Sequence, residues 1–413
     1  MNKFNCYCIL IIGFILFLAF RAETSIVKIS GHNILQTIQK SKPFDTIIVL
    51  KGTYYVHDIE VSKPLVLLAE KGVVIDVNLK GNGFVVLSSN VIISGFCIKN
   101  IPVSYLKENA AIYLKGVKNC IISDNVILNA FFGIYLSKSE SCVIKKNRII
   151  GQSKKESNSG NAIHLWQCNK CIIRDNFIQQ HRDGIYLEFV KNSFIKNNTS
   201  QKNIRYGMHF MFSDECTYIH NSFTENTAGV AVMYSKKIKM FGNYFGQNWS
   251  YVSNGILLKD IKDSEIAYNV FKNNSIAVYM EGCLNNVIKY NSIVKNGWGL
   301  KIYGNCDNNL ISYNNFVDNF FEVVSNTSIN NNTFQKNFWS NYSGYDLDKN
   351  NIGDIPHRPV SLTTYILEIS PHTVVLFQSV FLDLLNLIER VNPEFTPSFL
   401  VDEMPLMNPI KIN

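Results

Sequence analysis

An apolar pair, two variable residues and then an asparagine recur along most of this 413-residue chain. The copies read CIISDN, CVIKKN, CIIRDN, SFIKNN, CTYIHN, IKMFGN, SEIAYN, NVIKYN and NLISYN. Their asparagines are Asn125, Asn147, Asn176, Asn198, Asn221, Asn243, Asn269, Asn291 and Asn314, spaced by 22, 29, 22, 23, 22, 26, 22 and 23 residues. A small residue stands 14 positions before each of the first seven, at Ala111, Gly133, Ala162, Gly184, Gly207, Gly229 and Gly255. Short β-rich segments punctuated by Gly and Asn at one period stack as repeats of a solenoid. The reading is an all-β, right-handed parallel β-helix of the pectin-lyase-like kind, with coils of about 22 residues. A leucine-rich repeat would need LxxLxLxxN, which is absent.

Side chains alternate between the two faces of a strand. The columns Ile112, Ile134, Ile163, Ile185, Met208, Val230, Ile256 and Leu114, Leu136, Leu165, Leu187, Phe210, Val232, Leu258 are uniformly apolar, so both face the core. Met240 falls in another inward column, with Ile122, Ile144 and Ile195. The residues between point outward. His164, Trp166, Tyr186, Glu188, His209, Met211 and Met233 then form one outward patch over four adjacent coils. Thioether and imidazole are donors that suit Cu(I), which makes His209, Met211 and Met233 candidate copper contacts, with His164 as a further imidazole. The same patch would equally serve as a sticky face for a partner.

Other residues admit other chemistry. Arg182, Asp183 and Arg205 lie at the starts of consecutive coils and are the acid, base and charge set that a polysaccharide lyase or epimerase on this fold would need. YDLDKNNIGD places Asp346, Asp348 and Asn350 like the first ligands of a calcium loop, without the Gly and Glu that complete one. Cys120, Cys142, Cys171 and Cys216 share one column, and Cys168, Cys283 and Cys306 another; CNKC at 168–171 lacks a second pair for zinc.

The N-terminal stretch MNKFNCYCILIIGFILFLAFRAETS has a basic start and a short apolar run, which reads as a signal peptide over residues 1–22 rather than a membrane anchor. Export permits disulfides among the cysteines that remain. The formal charge of +8 is dispersed, which excludes a dense nucleic-acid-binding surface. Residues 23–100 read as an N-terminal cap, with a short helix in HNILQTIQKS, followed by irregular first coils. Residues 101–340 are the regular solenoid and 341–360 a capping loop. Residues 361–413 combine a C-terminal helix with an extended tail. Ser370 and Pro371 are suited to start that helix, and Asn392-Pro393 to stop it. Phe377, Phe381 and Leu385 on its apolar face, with Trp166, Tyr186 and Glu188, are candidate docking residues.

RDGIYLEF, RYGMHFMFSD, GVAVMYSKK, GYDLDKNNIGD and SFLVDEMPLMNP, with the coil repeat, resemble the NosD family of nitrous oxide reductase maturation in denitrification. The resemblance implies a periplasmic accessory protein that is not itself an enzyme. It implies an ABC-type ATPase, NosF, and a permease, NosY, which would hold the protein at the inner membrane. It further implies the copper chaperone NosL, the reductase NosZ as recipient, and Cu(I) as a transient cargo.

Overall fold

The computed structural model describes residues 25–30, 33–104, 106–250, 253–327, 331–370, 372, 380–392 and 396–412, and within 380–390 only part of the side chains. The expected signal peptide lies outside them. Three parallel sheets of fourteen, twelve and thirteen strands run the length of the solenoid, each strand pairing with its equivalent on the next coil. The middle sheet carries the columns of the outward patch, in strands such as Ile163–Trp166, Asp183–Glu188, Tyr206–Met211 and Ala228–Met233. The two inward columns are fully buried along the core, and Met208 and Met240 have no exposed surface.

The corners are set by asparagine. Each ladder side chain accepts from both amides of the asparagine one coil earlier: Asn198 N and Nδ2, for example, reach Asn221 Oδ1 at 2.9 Å each. Its own amide also reaches back to a carbonyl, as Asn198 Nδ2 does to Ile173 O at 3.0 Å. Buried corner amides and carbonyls are thereby satisfied without water. The residue before each asparagine turns left-handed, as at Asp175 (φ 59°) and Asn197 (φ 54°). A second ladder runs five residues behind the first, through Asn203, Asn226, Asn248, Asn274, Asn296 and Asn319. The small-residue column has a steric cause: a Cβ on Gly184 would lie 2.4 Å from the Gly207 carbonyl oxygen and 2.0 Å from Ser200 Oγ.

At the N-terminal end, helix α1 (Ile34–Lys40) buries Ile34 and Ile38 against the first coils. The C-terminal end departs from expectation. Helix α2 (Leu362–Ile369) is capped by Ser361, whose side chain accepts from Thr364 N at 3.2 Å. Ser370 ends this helix. A residue before proline is driven out of the helical region, and Ser370 adopts φ −136°, ψ 86°. Helix α3 (Val380–Val391) then follows as a separate element. Helix α2 packs on the last strand of the middle sheet, Phe321–Ser325, and on α3. Leu384, Leu387, Ile388 and Val391 of α3 are exposed. Leu385 is half-buried; Phe377 and the side chain of Phe381 lie outside the described residues. Among the described residues, no helix is long and apolar enough to cross a membrane.

Candidate functional site

The outward face of the middle sheet is a ladder of rings. Tyr113, Tyr135, His164, Tyr186 and His209 follow one another at centroid spacings of 4.9, 4.8, 4.8 and 4.7 Å, the strand spacing itself. A second outward column supplies Phe132, Asn161, Asp183 and Tyr206 beside it. Phe132 meets His164 at 5.4 Å and Tyr206 meets His209 at 4.9 Å.

Both histidines face outward as alternation requires, yet neither is open to solvent. Each is only 6% exposed, and neither has a hydrogen-bond partner on either ring nitrogen. Neighbouring rings cover their faces, tilted against His164 and, from Tyr186, stacked on His209. The nearest polar atoms stand off: His164 Nε2 is 3.9 Å from Glu188 Oε2, and His209 Nδ1 is 3.8 Å from Asp183 Oδ2. Burial, aided by the Arg182 charge, pulls the His164 imidazole down to about 3, so it is neutral. Burial pushes the Glu188 carboxyl up.

Asp183 is the electrostatic anchor. It has no exposed side-chain surface and accepts Arg205 through two bonds, Nε to Oδ1 at 2.9 Å and Nη2 to Oδ2 at 2.5 Å. Burial pushes its carboxyl up, but the His209 ring and the Arg205 guanidinium outweigh that and hold it at about 2. Arg205 also reaches Glu156 at 3.3 Å, tying the polar insertion of residues 151–161 to the sheet. Arg182 and Arg205 do stack on successive coils, with Arg205 N bonded to Arg182 O at 2.9 Å. Arg182 itself comes only within 3.9 Å of Asp183.

The methionines sit where the columns place them. Met211 and Met233 are register partners on adjacent strands, half-buried, and Met211 lies two residues beyond His209 on the same face. Trp166, Tyr186 and Glu188 are half-buried on the neighbouring coils. One feature of this edge follows from no column drawn in the sequence. Phe189, Phe212 and Tyr234, immediately after Glu188, Met211 and Met233, stack at 5.3 and 5.1 Å and are 45%, 41% and 41% exposed. All three adopt left-handed backbone, at φ 53°, 50° and 52°, a conformation that bulky residues rarely take. Their order in the sequence, one aromatic after each outward end residue, is the signal that carried them.

The remaining candidates have local explanations. Asp346 and Asp348 accept the backbone amides of Asn350 and Asn351 at 2.8–3.2 Å, which makes this segment an Asx-type turn. Eight free cysteines are described, seven of them buried and Cys97 half-buried. The Cys142 and Cys171 thiols share the buried row with Cys120, and Cys171 stands beside Cys168; both are pushed up to about 12. Among the described residues, no three His, Cys, Asp or Glu side chains form a metal cluster.

Comparison with known proteins identifies the fold and the family. Two solved structures share the fold: a GH87 α-1,3-glucanase catalytic unit from Streptomyces thermodiastaticus (TM-score 0.57, 12% identity, covering 76% of this chain and 69% of that one) and the Dettilon tailspike (TM-score 0.54, 15% identity, covering 73% of this chain and 65% of that one). Identity this low speaks for the solenoid alone. Two curated relatives, from Pseudomonas aeruginosa and Stutzerimonas stutzeri, are each 26% identical over 86% of this chain and 86% and 85% of their own lengths; each is named a probable ABC transporter binding protein NosD. The family described as periplasmic copper-binding protein (NosD) matches residues 70–204 and 150–344. With that match spanning more than half of its length, the chain belongs to the NosD family.

Proposed function

We propose that this protein is an exported accessory factor for the copper sites of nitrous oxide reductase, relaying Cu(I) in concert with an ABC-type transporter. The observation that carries the reading is the register pairing of Met211 with Met233 beside His209, whose ring nitrogens have no hydrogen-bond partner. Thioethers together with an imidazole favour Cu(I) over harder ions. His164 is a further imidazole in the same column, one ring beyond Tyr186. The family's description as periplasmic and copper-binding supports the cargo and the compartment, and the relatives' name supports the transporter. In this reading NosY is the permease, NosF the ATPase, NosL the copper donor and NosZ the recipient. The exposed apolar stripe of α3 faces the permease at the inner membrane, and the Phe189–Phe212–Tyr234 edge faces the copper donor.

The protein acts without being an enzyme in this reading. A lyase or epimerase needs a base near neutrality. Asp183, bonded twice to Arg205 and held at about 2, is a poor proton acceptor.

Anaerobic Cu(I) titration against a competing chelator tests the proposal. The parent protein should bind, and a Met211→Leu, Met233→Leu double variant should lose that binding while remaining folded, because leucine keeps the apolar bulk and removes the donor. Equal binding by both would sink the site.

A further inference from the structure

Twelve buried side-chain nitrogen or oxygen atoms among the described residues have no hydrogen-bond partner. Nine of them belong to Asn161, His164, His181, Arg182 and His209, on three successive coils. Buried polar atoms are normally satisfied by protein, water or a ligand. Their concentration at one place on the solenoid points to something that the chain itself does not supply.

The chemistry of that place selects the ligand. Asn161 is fully buried, and neither its amide nitrogen nor its oxygen has a partner. Arg182 Nε is buried without a hydrogen bond. The carboxylate between the two stacked arginines is spent on Arg205 and on Tyr206 N, at 3.3 Å. Arg182 is left 3.9 Å from it. Glu188 Oε2 stands 3.9 Å from His164 Nε2. The insertion runs beside the spot: Arg182 N donates to Gly160 O at 2.9 Å, and Glu156 pairs with Arg205.

We infer that Arg182 and Asn161, beside the His164 ring and the 151–161 insertion, form a site for a small oxyanion. The ligand class is a carboxylate, phosphate or sulfate, held by the guanidinium Nε and the Asn161 amide nitrogen. The site is separate from the thioether pair: it needs neither Met211 nor Met233.

Titrating acetate, inorganic phosphate or sulfate into the full protein in a chloride buffer tests the inference, with calorimetry and the thermal midpoint as readouts. At least one anion should bind saturably and raise the midpoint. Arg182→Gln should weaken that binding at least tenfold, and the Met211→Leu, Met233→Leu double variant should leave it unchanged. Which anion binds separates a carboxylate ligand from an inorganic one. If Arg182→Gln does not fold, Arg182→Lys keeps the charge but lacks Nε and should still weaken binding severalfold. Absence of saturable binding by the parent, or equal responses from parent and Arg182 variants, would overturn the site and assign the orphan atoms to ordered water.

Discussion

The carboxylate of Asp402 stands next in line after Asn337 in the corner ladder, and Asn337 donates both its backbone and its side-chain amide to Oδ2 at 3.0 Å. The Trp339 indole reaches the same oxygen at 3.0 Å, while Lys336 N and Met404 N reach Oδ1 at 3.0 and 3.2 Å. A residue from the tail thus supplies what a further coil would have supplied. Helices α2 and α3 lie in the chain between buried Val360 and buried Leu400, so their segment is tethered at both ends to the sealed end of the solenoid.

Replacing Asp402 by alanine should strip these amides of their acceptor and cost about 3 kcal/mol, on the scale of lost bonds to a buried charge. Asp402→Asn keeps an acceptor and should cost about 1 kcal/mol. A solenoid communicates only between neighbouring coils. Hydrogen exchange should therefore speed up first in the last coils, over residues 307–339, and leave residues 110–240 protected. Uniform acceleration along the chain would contradict the ladder's local role.

How far the sequence disclosed this architecture depends on which interactions repeat. The Asn125–Asn314 ladder, the inward placement of Met208 and the pairing of Met211 with Met233 are periodic, and periodicity reads them directly. The second ladder, from Asn203 to Asn319, follows at a constant offset of five residues and was equally legible from that offset. Alternation assigned His164 and His209 to the outer face but could not bury them. Their cover comes from rings on neighbouring coils, which is a tertiary matter. Asp402 occurs once, so no repeat announces it. Ser361 caps the start of α2 and Ser370 its end, and neither position falls in a repeat.

Arg205→Ala leaves Asp183 buried with no bidentate partner, and breaking such a pair costs about 3–5 kcal/mol. Arg182→Ala, which removes only a 3.9 Å contact, should cost less than about 1 kcal/mol. The Arg205 change also frees Glu156, so limited proteolysis within residues 151–161 should accelerate in that variant alone. Urea unfolding of the two variants side by side checks the order; equal losses would mean that Asp183 is not held by Arg205.

Acid should destabilise the fold earlier than surface carboxylates would dictate. His164 and His181 are pulled down to about 3 and about 4 by burial, from an ordinary value of 6.5. Between those limits the unfolded chain binds protons that the folded one refuses, so stability rises with pH. It is complete above about pH 6.5 and falls below it by about 1.4 kcal/mol per pH unit for each histidine. Asp183 acts in the same direction at lower pH, because its depressed carboxyl loses its contribution as pH falls from about 4 towards 2. Chemical denaturation from pH 7 to 4 should show this slope, and His164→Phe should flatten it by one histidine's share. A flat profile in the parent would mean that the rings take up protons while folded.

The cysteine rows should stay out of copper chemistry. The Cys142 thiol donates to Glu140 O at 3.4 Å and that of Cys216 to Asp214 O at 3.3 Å, and burial helps push both up to about 12. Thiolate is the form that binds metal and reacts with alkylating agents. Cys97, the half-buried member, should be alkylated first in the native protein, and Cys306 next, since its contact with Cys283 pulls its thiol down. The thiols of Cys120, Cys142, Cys168, Cys171 and Cys216 should react only after unfolding. Mass spectrometry of iodoacetamide-treated protein, with and without denaturant, reads this directly. Protein alkylated in the native state should bind as much Cu(I) as untreated protein; a loss would move the copper from the methionines to the thiols.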